Sequence, residues 1–257
     1  MTVTRKQFFA TALLLGQATL VGGLLNGQAR AAEPDATEIL KLADQARGGG
    51  LAGLVWEVHA HTSGTTGDDQ PDQTLRIKAV DQASLAEVME PPSSRGSKIL
   101  QVDRNMWLSK PGLKKPVAIS PRQRLTGQAS IGDVAATNYA KDYTATYLRE
   151  EKVGDEPCHV LDLKSNNRQS TYDRITYWVS VKRGLAMQAE FLSLSGKKLK
   201  SATFEYGNKV TVAGKGIAFV SRMSIADALT DAKTVMTYTK VQAKPVPSSD
   251  FDVGNLQ

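Results

Sequence analysis

Ser97-Lys98-Ile99-Leu100-Gln101-Val102, then Asp103-Arg104, then Asn105-Met106-Trp107-Leu108-Ser109: residues 97–109 decide the fold. Two short runs rich in apolar residues flank a polar pair, the pattern of two strands around a tight turn. Pro111-Gly112 then turns the chain into a further strand, Val117 to Ser120.

The same rhythm extends both ways. Upstream, Leu54, Trp56, Val58 and Ala60 alternate with Val55, Glu57, His59 and His61. A turn-rich tip, Thr62 to Asp72, leads to Leu75, Ile77 and Ala79, which alternate with Arg76 and Lys78. Downstream, strands are predicted at Thr144–Arg149, Cys158–Lys164, Ile175–Val181, Met187–Leu194, Leu199–Tyr206, Ile217–Met223 and Thr234–Val241, with turn residues between neighbours. Such a series is mainly β and forms an antiparallel meander, not βαβ units. A sheet of about ten strands curls, and its apolar face becomes a concave trough. Either an apolar ligand occupies that trough or side chains fill it.

One helix is clear. Asp35 caps it, Glu38 stands at the capping-box spacing, and Gly48-Gly49-Gly50 ends it. Weaker helical patterns lie at Ile131–Tyr139 and Ile225–Leu229.

Residues 1–31 read as a secretory signal. Arg5 and Lys6 precede an apolar stretch from Phe8 to Leu25, and Ala29-Arg30-Ala31 sets cleavage before Ala32. Export by the Sec or the Tat route is left open, because Lys6 stands where a twin-arginine signal has its second Arg. The mature chain, 32–257, is expected to be one domain in the periplasm. Residues 1–31 hold three bases and no acid, so the net charge falls from +6 (32 basic, 26 acidic) to +3 without them. That small, scattered excess argues against nucleic acid as a partner. The single cysteine, Cys158, rules out an internal disulfide, so stability rests on an apolar core.

Enzymatic sites are not legible. His159 next to Cys158 points to the opposite strand face, and no G-x-S-x-G motif occurs. His59 and His61 share a polar strand face, with no carboxylate or cysteine motif to complete a metal site. No enzyme, cofactor or metal is expected. The basic turn of Lys110, Lys114 and Lys115 is a candidate contact for an acidic partner.

The block Arg95 to Pro111, with its Met-Trp strand running into a proline, resembles the outer-membrane lipoprotein-sorting family, the LolA-like carriers, in its broader branch. The helix Glu38 to Gly48, the segment Leu113 to Ser120, Tyr177-Trp178-Val179 with Gly184 and Met187, and the tail Phe251 to Leu256 extend the likeness over nearly the whole mature chain. The resemblance implies an incomplete antiparallel barrel with helices over its open mouth, a half-barrel. It implies a monomeric periplasmic carrier that binds the acyl chains of a lipoprotein or lipid and shuttles them toward the outer membrane. Its partners would be an inner-membrane transporter (ABC or RND type) and an outer-membrane acceptor. Arg95 is the nearest motif match to the family's core arginine. The expected cavity lining is Leu54, Trp56, Val58, Leu75, Ile77, Met89, Trp107, Tyr177, Val179, Met187, Phe219 and Met223. The competing reading is a non-carrier interaction module that assists a membrane exporter or envelope assembly.

Overall fold

Asp35 does cap the first helix. Its carboxylate accepts hydrogen bonds from the N–H groups of Thr37 (2.9 Å) and Glu38 (3.2 Å), satisfying two of the four donors a helix start leaves open. Helix α1 (Ala36–Gln45) buries Ala36, Leu40 and Ala43, one face at helical spacing. The computed structural model describes residues 33–51, 53–64, 71–134 and 138–256; the expected signal segment, 1–31, lies outside them.

After α1 the chain is almost entirely strand: β1 (Leu54–Ser63), β2 (Gln73–Val80), β3 (Ala83–Glu90), β4 (Lys98–Val102), β5 (Asn105–Ser109), β6 (Val117–Ile119), β7 (Arg124–Thr126) and β8 (Ala129–Ser130). Two one-turn helices follow, α2 (Ile131–Val134) and α3 (Tyr139–Asp142). Then come β9 (Tyr143–Val153), β10 (Glu156–Ser165), β11 (Arg174–Ser180), β12 (Ala186–Leu192), β13 (Lys198–Glu205), β14 (Asn208–Val212), β15 (Lys215–Phe219), β16 (Arg222–Asp227) and β17 (Lys233–Ala243). Short 3-10 turns, Ser248–Phe251 and Val253–Asn255, end the described chain.

Thirteen of the strands form one antiparallel sheet in the order β6-β5-β4-β3-β2-β1-β17-β16-β13-β12-β11-β10-β9. The sheet is open, with β6 and β9 at its edges. The meander is broken twice. The last strand pairs with the first, Val58 opposite Tyr238, so two hairpin series join at mid-sheet. The β14–β15 hairpin leaves the sheet altogether, and β13 pairs with β16. Edge strand β9 presents the exposed charges Arg149, Glu150, Glu151 and Lys152, which discourage another strand from pairing there.

The structure departs from the sequence expectations at five places, one of them strand β14, which has no counterpart among the expected strands. Strand β3 has no counterpart among the expected strands, because its buried row is only Ser84, Ala86 and Val88. The β7–β8 hairpin has none either. The segment read as one strand, Ile217–Met223, breaks between β15 and β16. There the N–H of Val220 donates to the Ala46 carbonyl (2.9 Å) and that of Ser221 to the Glu205 carbonyl (2.7 Å). The helical pattern at Ile225–Leu229 is strand as far as Asp227, whose carboxylate then accepts from the N–H groups of Leu229 and Thr230 in a tight turn.

One face of the sheet carries the main core, and α1, α2 and α3 pack on that face. Trp56, Tyr177, Phe191 and Phe219 are its largest fully buried side chains, each worth about 2–3 kcal/mol of burial. A bulge between Val160 and Leu161 shifts the side-chain alternation of β10. Leu161 and Leu163 therefore join the helix-covered core, while Cys158 and Val160 pack with Trp178 on the outer face.

Candidate functional site

The helix-covered face gathers nine of the twelve expected lining residues. Leu54, Trp56, Val58, Leu75, Ile77, Tyr177, Val179, Phe219 and Met223 are buried in one cluster that also contains Leu40 and Ala43 of α1. Three lie elsewhere. Trp107 falls between Met106 and Leu108, which contribute to the covered core, so it faces the other way. Met89 alternates with buried Ala86 and Val88 and likewise faces out. Met187 packs against the outer-face cluster of Cys158, Val160 and Trp178, because the bulge opposite Trp178 and Val179 sets it off the inward row. At Trp107 and Met89 the strand period holds and the expected phase does not, whereas at Met187 the bulge breaks the period.

Two buried polar groups fasten the cover, and no sequence motif marks either. The first follows α1. Asp44 and Arg47 are 2% and 4% exposed. One oxygen of Asp44 accepts the N–H of Ala140 in α3 at 2.8 Å, tying α1 to α3. Burial pushes the Asp44 carboxyl up to about 7, against hydrogen bonds from Ala140 and Tyr139 and the charge of Arg47. The Arg47 guanidinium lies over the rings of Phe204 (4.8 Å) and Tyr139 (5.5 Å) and approaches the Met223 sulfur at 3.8 Å. Tyr177 and Tyr139 meet edge to face at 5.7 Å, as do Tyr177 and Phe204 at 6.2 Å. Burial drives the Tyr139 phenol up to about 12, and Tyr177, Tyr206 and Tyr238 also titrate higher than a free tyrosine. The guanidinium is thus enclosed by aromatic rings that remain neutral.

The second group holds α2. Lys200 Nζ donates to the Gln128 carbonyl (2.6 Å) and Ser130 Oγ (3.0 Å), and pairs with Asp133 at 3.4 Å. Tyr172 donates its hydroxyl to the same carboxylate at 2.7–2.8 Å. Tyr172 stacks on Phe191 at 4.0 Å, and the Lys200 ammonium sits 4.9 Å from the Tyr172 ring. Gly132 makes this docking possible: a Cβ there would stand 2.0 Å from Thr171 Oγ1.

A groove of about 640 Å³ opens beside α1, between the β11–β12 turn and β15. Ile39, Leu42, Ala46, Val181, Leu185 and Ile217 give it apolar walls, and Lys182 and Arg183 stand in its rim. Leu42 and Val181 remain 56% and 43% exposed there. A second cleft, about 290 Å³, lies between the β2–β3 and β4–β5 turns and α3, crossed by the Arg104–Asp142 and Lys141–Asp81 ion pairs. Its polar walls do not suit an acyl chain.

Other candidates resolve simply. Arg95 is exposed and pairs with Glu90, so it is not a core arginine; the buried one is Arg47, a residue that no motif marked. His59 and His61 do find a carboxylate: Asp72 accepts one ring on each oxygen, at 3.1 and 2.8 Å. Among the described residues no group of His, Cys, Asp and Glu is arranged to hold a metal. Cys158 is fully buried, burial raises its thiol pKa, and its Sγ contacts the Glu156 carbonyl at 3.5 Å. His159 faces Glu150 instead, 3.7 Å away. Lys110, Lys114 and Lys115 are exposed in the β5–β6 connection.

Known proteins share this fold. A family model described as "Uncharacterized protein" matches residues 80–257. No curated protein matches. A LolA superfamily protein from Nitrosomonas europaea is 30% identical, with a TM-score of 0.73 over 86% of this chain and 98% of its own. An outer membrane lipoprotein-sorting protein domain from Vibrio parahaemolyticus is 19% identical, with a TM-score of 0.72 over 86% and 99%. A DUF1329 family protein from Desulfovibrio piger is 17% identical, with a TM-score of 0.71 over 86% and 98%. The last two share the fold.

Proposed function

Because the chain belongs to the LolA superfamily, we propose that it is a periplasmic carrier. It binds the acyl chains of a lipoprotein or lipid between the covered sheet face and its helices, and moves them toward the outer membrane. The observation that carries this reading is the groove beside α1: apolar walls, exposed Leu42 and Val181, and direct continuity with the helix that covers the core. Leaving an acyl chain in water costs about 0.8 kcal/mol per CH₂, so a groove of this lining has a physical use. Its volume lies within the roughly 300–1,000 Å³ of small-molecule sites.

The signal segment 1–31, cleaved before Ala32, delivers the carrier to the periplasm. An inner-membrane transporter loads it, an outer-membrane acceptor unloads it, and the exposed lysine turn 110–115 contacts one of them. The protein works as a monomer and without catalysis; a buried thiol with a raised pKa is a poor nucleophile.

Native mass spectrometry with lipid extraction, on mature protein from its own periplasm, tests the reading. Acyl lipid at about one per chain is the expected result. A clean apo protein that also fails to take up a fluorescent fatty acid would refute it. That outcome would favour the non-carrier module, in which the nine buried lining residues are simply core.

A further inference from the structure

Arg47 carries its charge inside the core. It is almost fully buried, forms no ion pair among the described residues, and has one guanidinium nitrogen, Nη1, with no hydrogen-bond partner. Its other contacts are the Met223 sulfur and the Tyr139 hydroxyl, both weak for a cation. A guanidinium offers five N–H donors, and a buried charge is strongly unfavourable unless paired. The hydroxyls of Tyr177 and Tyr206 are also buried without partners, and both phenols lie within the electrostatic reach of Arg47. Beside these unpaired donors stands one unpaired acceptor, Asp44 Oδ1.

This region is linked to the groove through the chain and through charge. Arg47 directly follows Ala46, which lines the groove wall. Tyr206 feels the charges of both Arg47 and the groove's Arg183. Lys182 and Arg183 make the rim basic. An anion approaching along this path meets cations at the entrance and at the end.

We propose that the cargo is an acyl chain with an oxyanion headgroup, a carboxylate or phosphate, and that Arg47 with the Tyr177 and Tyr206 hydroxyls receives that headgroup. The inference rests on the carrier reading and names its substrate class. The chain of the lipid lies along the groove walls, and α1 shifts to admit the head. Asp44, the nearby acid, is half-protonated near pH 7, so it opposes an arriving anion only weakly.

The test is calorimetric titration of the mature chain with palmitate, palmitoyl lysophosphatidate and methyl palmitate, each below its micelle concentration. A charge-assisted hydrogen bond is worth about 1.5–3 kcal/mol, roughly 10- to 100-fold in affinity. We expect one oxyanion lipid to bind at least about tenfold tighter than the neutral ester, and the tighter of the two identifies the headgroup. Arg47→Met should erase that preference and leave ester binding within about threefold. Equal binding of acid and ester by the native protein overturns the inference and leaves the carrier intact. Failure of all three ligands to bind removes the carrier reading, and the inference with it. If Arg47→Met does not fold by circular dichroism, the Tyr177→Phe, Tyr206→Phe double variant decides. A preference reduced about threefold or more supports the proposal, and an unchanged one overturns it.

Discussion

The Asp44 carboxyl makes the stability of the cover depend on pH, and Asp44→Asn isolates that dependence. Burial holds this group near pKa 7, against 3.8 for a free side chain. The folded protein therefore binds its proton more tightly than the unfolded chain does. The resulting stabilisation is complete below about pH 3.8 and is lost as pH rises through about 7. Between pH 5 and pH 8 nearly all of the loss falls in two pH units at about 1.4 kcal/mol each, close to 3 kcal/mol in total. Asparagine keeps an oxygen for the Ala140 N–H and carries no charge, so the variant lacks this term. The assay is urea unfolding of the native protein and the Asp44→Asn variant at several pH values from 5 to 8. Relative to the native protein, the variant should gain about 3 kcal/mol across that range. A difference that stays flat, within the roughly 10–15% error of the extrapolation, would refute the assignment of this carboxyl to a desolvated site.

Three further outcomes follow from the same geometry. Lys200→Met should destabilise the fold by about 3–5 kcal/mol, since Asp133 is left buried and charged; adding Asp133→Asn should recover most of that in the same denaturation assay. Gly132→Ala should lift α2, because the new Cβ meets Thr171 at 2.0 Å; amide exchange should quicken across 129–134 and stay unchanged in β10 and β11. Cys158 should resist a thiol reagent in the native state and react at one thiol per chain in denaturant, given its full burial and raised pKa; rapid native reaction would contradict its placement.

The β architecture was legible wherever one strand face is consistently apolar. Residues 54–60 and 75–79 alternate cleanly, residues 97–109 form two apolar-rich runs around a polar pair, and the structure pairs those runs with Leu100 opposite Trp107. Reading failed where side-chain size or backbone detail decides. Strand β3 buries serine, alanine and valine, too small a signal to stand out. The phase errors at Met187, Met89 and Trp107 have a common origin: alternation identifies two faces but not which one the helices cover, and a single bulge exchanges them. The pairing of β1 with β17 is a long-range contact that no local pattern encodes. Arg47 was missed for a similar reason. A charged residue just past a helix end normally points to water, and only the tertiary packing of Phe204 and Tyr139 over its guanidinium reveals otherwise.

The cover is weakly built, and its two fastenings differ in kind. Helices α2 and α3 have four residues each, far below the roughly 12–15 at which an isolated helix begins to be stable in water. They persist because polar groups hold them: Asp133, Lys200 and Tyr172 for α2, and for α3 Asp44 through the Ala140 N–H together with the Arg104–Asp142 and Lys141–Asp81 ion pairs. The first fastening is an ion pair reinforced by hydrogen bonds from Lys200 to Gln128 and Ser130 and by those Asp133 accepts from Tyr172 and the Ser130 N–H. The second ties α3 to α1 through a carboxyl that changes charge near neutral pH. An apolar seal of equal area would have to be broken all at once, whereas one titratable bond between α1 and α3 can yield while α2 stays docked. The groove lies on the α1 side, so the weaker fastening is the one beside the entrance. On the proposed carrier reading, holding and surrendering an acyl chain calls for that asymmetry, a fixed floor under one half of the cover and a releasable tie under the other.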